Sequence, residues 1–197
     1  MGFISILSYA HRLVSEQLQP GDIAIDATVG NGVDSLFLAE RVGLQGSVYG
    51  FDIQAEALRK ASGRLEKHMG DRHPVRWIQA SHSLMKEHVP EACHGRVGAI
   101  MFNLGYLPGS DHSTITVPET TLPALNAAVD LLRPGGLTTI VLYTGHEGGD
   151  REAAAVEQWA AELPQPNFQV LKYAMINQRN HPPYLIAVAK REVALRR

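Results

Sequence analysis

Apolar positions along this chain follow two periods that take turns. Short β-prone runs fall at 23–26, 46–52, 75–79, 97–102, 137–143, 168–176 and 184–189. Between them lie longer stretches in which apolar residues recur every three or four positions, the spacing of a helix with one buried face. Residues 3–19 form the first, with Ile4, Leu7, Leu13, Val14 and Leu18 on the apolar side and Pro20-Gly21 as the stop. Helices are predicted over 33–43, 54–69 (Ala55, Leu58, Ala61, Leu65 and Met69 inward), 118–132 and 150–163. Strands alternating with helices make a parallel sheet with helices on both faces. The last two strands are too close for a crossover helix, so they form an antiparallel hairpin. The predicted fold is α/β and Rossmann-like, with a seven-stranded, mostly parallel sheet.

Composition narrows this reading only a little. At 197 residues the chain reads as one domain over 1–197, large enough for a real core. Apolar content of 45% and charged content of 19% are those of an ordinary globular protein. A net charge of −2 gives no global attraction to nucleic acid, though a local basic face would suffice for RNA. Cys93 is the single cysteine, which precludes an internal disulfide and fits a cytoplasmic location. No apolar run reaches the roughly 20 residues of a spanning helix, and no signal-peptide pattern opens the chain. The nine histidines are scattered without ligand spacing, and no metal is expected. Cys93 beside His94 lacks any acyl-transfer partner set and reads as an incidental thiol.

The chemistry centres on Asp26-Ala-Thr-Val-Gly-Asn-Gly-Val-Asp-Ser35, between a strand and a helix. Glycines there let the backbone approach a ligand, and the helix start behind them offers free N–H groups. Asp52 follows about 20 residues after Gly32, where an acid commonly takes ribose hydroxyls. Asp26 precedes the glycines, and a carboxylate there repels pyrophosphate but accepts bonds from an ammonium group. That points to S-adenosylmethionine and away from NAD, with an NAD-type oxidoreductase as the alternative of another class. Ser81 and His82 end the third strand, facing a nucleobase edge or capping the next helix. Between Asn103 and Thr116 lies a long polar loop, read as a lid or substrate loop.

Four blocks carry a family resemblance: Asp26 to Ser35, Phe102-Asn-Leu-Gly-Tyr-Leu-Pro-Gly109, Val141-Leu-Tyr-Thr-Gly-His146 and Asn177-Gln-Arg-Asn-His-Pro-Pro183. Over nearly its whole length the chain resembles the tRNA 5-(aminomethyl)-2-thiouridine methyltransferases, a bacterial group long labelled rRNA methylases, of the class I S-adenosylmethionine-dependent fold. Two departures from the general class I pattern stand out. Thr28 occupies a usual glycine position, and Asn103-Leu-Gly-Tyr106 replaces the Asn-Pro-Pro-Tyr of many amino-group methyltransferases. The resemblance implies N-methylation of the aminomethyl group of 5-aminomethyl-(2-thio)uridine at wobble position 34, with the tRNA anticodon loop as partner. Methylation of rRNA or a small amine is the alternative within the class. A homodimer is plausible, with an exposed sheet edge to mediate it.

Site residues follow from that reading. Asp26, Thr28, Asn31 and the Gly30–Gly32 backbone hold the methionine portion, and Asp34 reaches its ammonium group or a water. Asp52 takes the ribose, Ile53 and Gln54 flank the adenine, and Ser81 and His82 read its edge. Asn103 orients the target amine with Leu104 and Gly105 beside it, while Tyr106, Tyr143 and His146 stack on or bond the modified base. Gln178, Arg179 and Asn180 contact RNA. Duller readings stand beside these: Tyr143 as a core residue, His146 satisfying loop carbonyls and the asparagines building a turn; His11 reads as a helix-surface or capped histidine, with a wall of the cofactor or substrate site as the alternative. Lys86, Arg151 and Arg179 are further candidates for phosphate contacts or simply solvated charges.

Overall fold

Seven strands form one sheet in a computed structural model that describes residues 2–105, 115–145 and 148–192. In chain order they are β1 (Ile23–Asp26), β2 (Ser47–Asp52), β3 (Val75–Gln79), β4 (Val97–Leu104), β5 (Leu132–Leu142), β6 (Phe168–Tyr173) and β7 (Tyr184–Lys190). Their order across the sheet is β3-β2-β1-β4-β5-β7-β6. β7 runs antiparallel to both β5 and β6, and the other pairings are parallel. The helices are α1 (Ile6–Gln17), α2 (Val33–Val42), α3 (Ala55–Met69), a short α4 (Met85–His88), α5 (Pro118–Leu131) and α6 (Gly149–Glu162). The predicted α/β sheet with its late hairpin is therefore the observed one.

Side-chain alternation along the strands supplies two cores. Ile100, Phe102 and Leu104 of β4 face Leu125 and Ala128 of α5 and Val156 of α6. Ala99 and Met101 face the opposite layer, with Val14 of α1 and Leu38 and Val42 of α2. Because both faces are covered, the central strands read as continuous apolar runs.

Several boundaries shift for identifiable reasons. α1 starts at Ile6 because the Ser5 hydroxyl accepts the Ser8 N–H at 3.2 Å, an N-cap bond. Its buried face is Ile6, Ala10 and Val14; the expected Ile4 and Leu7 are exposed instead. Ala57, not Ala55, is buried at the start of α3. β5 begins at Leu132, which pairs with Val97, and after a register shift the ladder resumes with Ala99 opposite Leu137. Arg133 to Gly136 bulge out between these pairs, and Arg133 is tied to the Gln17 carbonyl and the Asp22 carboxylate. β6 ends at Tyr173, and Ile176 lies in solvent.

The turn from β1 to α2 is the most constrained connection near the strand ends. Gly32 has φ +74°, and a Cβ there would lie 2.6 Å from the Ala61 side chain of α3. Both backbone and packing therefore require glycine. Beneath the turn Asp26 is fully buried. The Ser35 hydroxyl donates to its Oδ2 at 2.5 Å and the Thr28 N–H to its Oδ1 at 3.2 Å. Burial, then the nearby Asp34 charge, pushes its carboxyl up to about 7.

A carboxyl with a raised folded-state pKa holds its proton more tightly in the fold than in the unfolded chain. Stability is thus lost as pH rises between the ordinary carboxyl range and about 7. Asp26→Asn removes that dependence. Denaturant unfolding at pH 4.5, 6 and 7.5 is expected to show the variant gaining on the parent as pH rises; a pH-independent difference contradicts this.

Candidate active site

A cavity of about 600 Å³ opens beyond the C-terminal ends of β1, β2 and β4. Strand order reverses between β1 and β4, and open α/β sheets bind ligands at such a point. One end of the cavity is built by β2 and β3. Asp52 Oδ2 accepts the Gly30 N–H at 2.9 Å, and Oδ1 accepts the Gln54 N–H at 2.8 Å. Each oxygen keeps a lone pair, so the carboxylate can still accept from a pair of adjacent hydroxyls. Ile53 and Val33 are exposed apolar side chains on this cavity, suited to the faces of a flat ring. Beyond them Ser81 caps the following turn through its hydroxyl, which accepts the Ser83 N–H.

His82 is buried against Phe102 in edge-on contact. Burial lowers its pKa to about 4, opposed only by a hydrogen bond to the Ala27 backbone. The ring is therefore neutral near pH 7. Its Nε2 is buried and has no partner, in a residue that lines the cavity.

The other end is built by α1, α2 and β4. Asp34, in the first turn of α2, lines the cavity and is nearly buried. His11 Nε2 lies 2.6 Å from Asp34 Oδ1, and Asn103 Nδ2 donates to Asp34 Oδ2 at 2.5 Å. The Asn103 N–H is tied to the Thr28 hydroxyl at 2.7 Å, so the threonine at the usual glycine position links β1 to β4. Asn103 Oδ1 is buried without a partner. Tyr143 is part-buried on the same wall, and burial, then the Asp34 charge, raises its phenol pKa. The far wall is the Ile115–Thr120 segment. Buried Glu152 accepts from the Thr116 and Thr121 hydroxyls, each at 2.6 Å, which anchors that segment to α6.

The structure brings most of the sequence-predicted residues together. Thr28, Gly30, Asn31, Asp34, Asp52, Ile53, Gln54, Ser81, His82, Asn103, Gly105 and Tyr143 line the one cavity. Asp26 does not, because its carboxylate is sealed beneath the turn. Gly32 sits behind the lining as the residue that caps α2. Leu104 turns its side chain into the core, contrary to a substrate contact. Gln178, Arg179 and Asn180 are exposed in the β6–β7 connection and do not line the cavity. Asn180 and His181 there both carry positive φ. Tyr106 and His146 lie outside the described residues. Lys86 pairs with Asp130 and Arg151 with Glu119. Sequence reasoning missed Leu7, Val33 and Thr120 on the lining, and the tie from His11 to Asp34; Thr116 closes the expected lid or substrate loop, whose residues 106–114 lie outside the described ones.

His82 sets a second pH dependence, opposite in sign to that of Asp26. Its folded pKa is depressed, so stability is present above the ordinary histidine value of 6.5 and lost as pH falls toward about 4. Full protonation of the fold costs about 3 kcal/mol by the size of that shift. His82→Gln is expected to flatten the parent's stability loss between pH 6.5 and 4.5 in urea unfolding. An unchanged slope contradicts the assignment.

Among the described residues, no helix is long and apolar enough to cross a membrane, and no group of three or more His, Cys, Asp or Glu is placed to hold a metal. The family described as "Putative rRNA methylase" matches residues 48–189. A chloroplastic tRNA (mnm(5)s(2)U34)-methyltransferase of Arabidopsis thaliana is 42% identical over 190 residues, covering 93% of this chain and 68% of that protein. A crystal structure of a "putative rRNA-methylase" from Clostridium thermocellum superposes with a TM-score of 0.90 at 39% identity, covering 96% of this chain and all of that one. A "putative methyltransferase" from Streptococcus mutans, solved with S-adenosylhomocysteine, gives 0.85 at 36% identity, covering 96% and 99%. The cofactor is S-adenosylmethionine, and the cavity's own chemistry fits it. Asp52 keeps spare acceptor capacity, His82 Nε2 and Asn103 Oδ1 are buried without partners in residues that line the cavity, and among the described residues no Lys or Arg lines it to hold a pyrophosphate. The chain belongs to the Putative rRNA methylase family and is an S-adenosylmethionine-dependent methyltransferase.

Proposed function

We propose that the protein methylates the primary amine of 5-aminomethyl-(2-thio)uridine at the wobble position of tRNA, giving 5-methylaminomethyl-(2-thio)uridine. The observation that carries this reading is the buried, unpartnered Oδ1 of Asn103, a residue that lines the cavity beside Asp34. A lone carbonyl acceptor there suits an N–H of an incoming amine. The 42% identity to a plant enzyme named for that tRNA position supports the substrate. The family description favours a second reading, a ribosomal RNA substrate.

S-adenosylmethionine supplies a methyl group on a positively charged sulfur, already electrophilic. Asp52 accepts the two ribose hydroxyls, Ile53 and Val33 flank the adenine, and neutral His82 accepts from the adenine amino group. Asp34 and the Thr28–Asn31 turn face the methionine portion. Asn103 Oδ1 accepts one N–H of the target amine and directs its lone pair at the methyl carbon. The target ammonium first gives its proton to solvent water, and desolvation against apolar walls such as Val117 and Ile115 favours that neutral form. The C–N bond then forms as the C–S bond breaks, and sulfur keeps the bonding pair. Alignment of this kind supplies up to about 7–11 kcal/mol of a barrier. A wobble base lies in a single-stranded loop and can be turned out into the cavity, where Tyr143 offers a ring to stack on.

Asp52→Ala is expected to abolish S-adenosylhomocysteine binding by calorimetry. Asn103→Ala is expected to leave that binding within about twofold while lowering kcat by roughly 100-fold, the cost of a misaligned attack; an unchanged rate contradicts the role of Asn103. Mass spectrometry of nucleosides from a deletion strain tests the substrate. Accumulation of the unmethylated aminomethyl nucleoside in tRNA supports the proposal, and unchanged tRNA with a lost rRNA methyl group supports the second reading.

A further inference from the structure

Three elements converge on the Asp34 carboxylate: α1 through His11, α2 through Asp34 itself, and β4 through Asn103. Asp34 and Asn103 line the cavity, whereas His11 does not. It approaches from behind, half-buried, with its ring stacked parallel on Phe37 at 4.0 Å.

Chemistry fixes which atoms face one another. A carboxylate only accepts, so the end of the Asn103 amide turned to Asp34 is the NH2. For the same reason His11 Nε2 carries its hydrogen and donates to Oδ1. The Asn103 carbonyl oxygen is then left pointing away from Asp34, buried and unpartnered. Turned over, the amide would present two N–H groups to an amine whose own hydrogens need an acceptor. Asn103 alone cannot hold Asp34 still, because a carboxylate bonded at one oxygen can turn about its Cβ–Cγ bond. Bonds at both oxygens fix its plane.

We propose that His11 is a positioning residue for methyl transfer: it holds Asp34 so that Asp34 locks the Asn103 amide with its carbonyl oxygen toward the acceptor amine. This rests on the reading of Asn103 given above. His11 touches neither cofactor nor substrate in this arrangement, so its loss acts on kcat and spares cofactor affinity. The role needs an N–H donor, not an imidazole as such.

Two variants separate donor from packing. His11→Phe keeps a ring on Phe37 without the donor, and His11→Gln keeps an N–H donor without the ring. His11→Phe is expected to lower kcat about tenfold or more with S-adenosylhomocysteine affinity unchanged, and His11→Gln to recover to within about threefold of the parent. Parental turnover in His11→Phe overturns the proposal, as does equal loss in both variants. A readout free of substrate accompanies these rates: the side-chain amide resonance of Asn103 in 15N-labelled protein, assigned by its absence in Asn103→Ala. It is expected to be shifted downfield in the parent and His11→Gln, and to move toward the solvent-exposed position in His11→Phe. An unmoved resonance in His11→Phe refutes the proposal even where the tRNA substrate itself proves wrong.

Discussion

The strand-end carboxylate of Asp26 is closed off from solvent, with the Ser35 hydroxyl on one oxygen and the Thr28 N–H on the other. Those two bonds tie the end of β1 to the first turn of α2 and set the path of the chain between them. That path carries Gly30 to the Asp52 carboxylate and Thr28 to the Asn103 N–H. It also aims Asp34 into the cavity that Asp26 cannot reach. One acid is thus buried as a brace, and another a few residues later faces the ligand. A second fully charged carboxylate near Asp34 would add repulsion; burial instead raises the pKa of Asp26 and softens its charge.

The cavity built on this brace presents acceptors. Asp52 keeps free lone pairs, His82 is held neutral with Nε2 buried and unpartnered, and the Asn103 carbonyl oxygen is likewise buried without a partner. Such a surface suits a ligand rich in donors and bearing positive charge, as a sulfonium nucleoside with an amino-acid tail is. It is poorly suited to a dinucleotide, whose pyrophosphate needs N–H groups or cations. The same chemistry suits an incoming amine. Methyl transfer asks for alignment more than for proton traffic, and alignment is what an interlinked Thr28, Asp34 and Asn103 provide.

Much of this was legible in the sequence. The strands stood out because burial on both faces makes them continuous apolar runs, and the final hairpin because too few residues separate β6 from β7 for a crossover. Asp52 was legible from its distance to the glycines. The choice between Asp26 and Asp34 was not, because spacing along a turn does not say which carboxylate the turn encloses. The bond from His11 to Asp34 was also out of reach, since its partner lies on another helix and no local pattern marks the pair. Leu7 misled because a helix beside a cavity carries apolar residues on a face that is not core. Leu104 misled because β4 extends past the motif's asparagine and alternation turns the next side chain inward.

A crystal structure of this protein with S-adenosylhomocysteine tests the account most directly. It predicts both ribose hydroxyls on Asp52, the adenine between Ile53 and Val33 with its amino group on His82 Nε2, and the thioether sulfur facing the space beside Asn103 Oδ1. A ribose held elsewhere, or an Asn103 amide whose nitrogen points at that space, contradicts it.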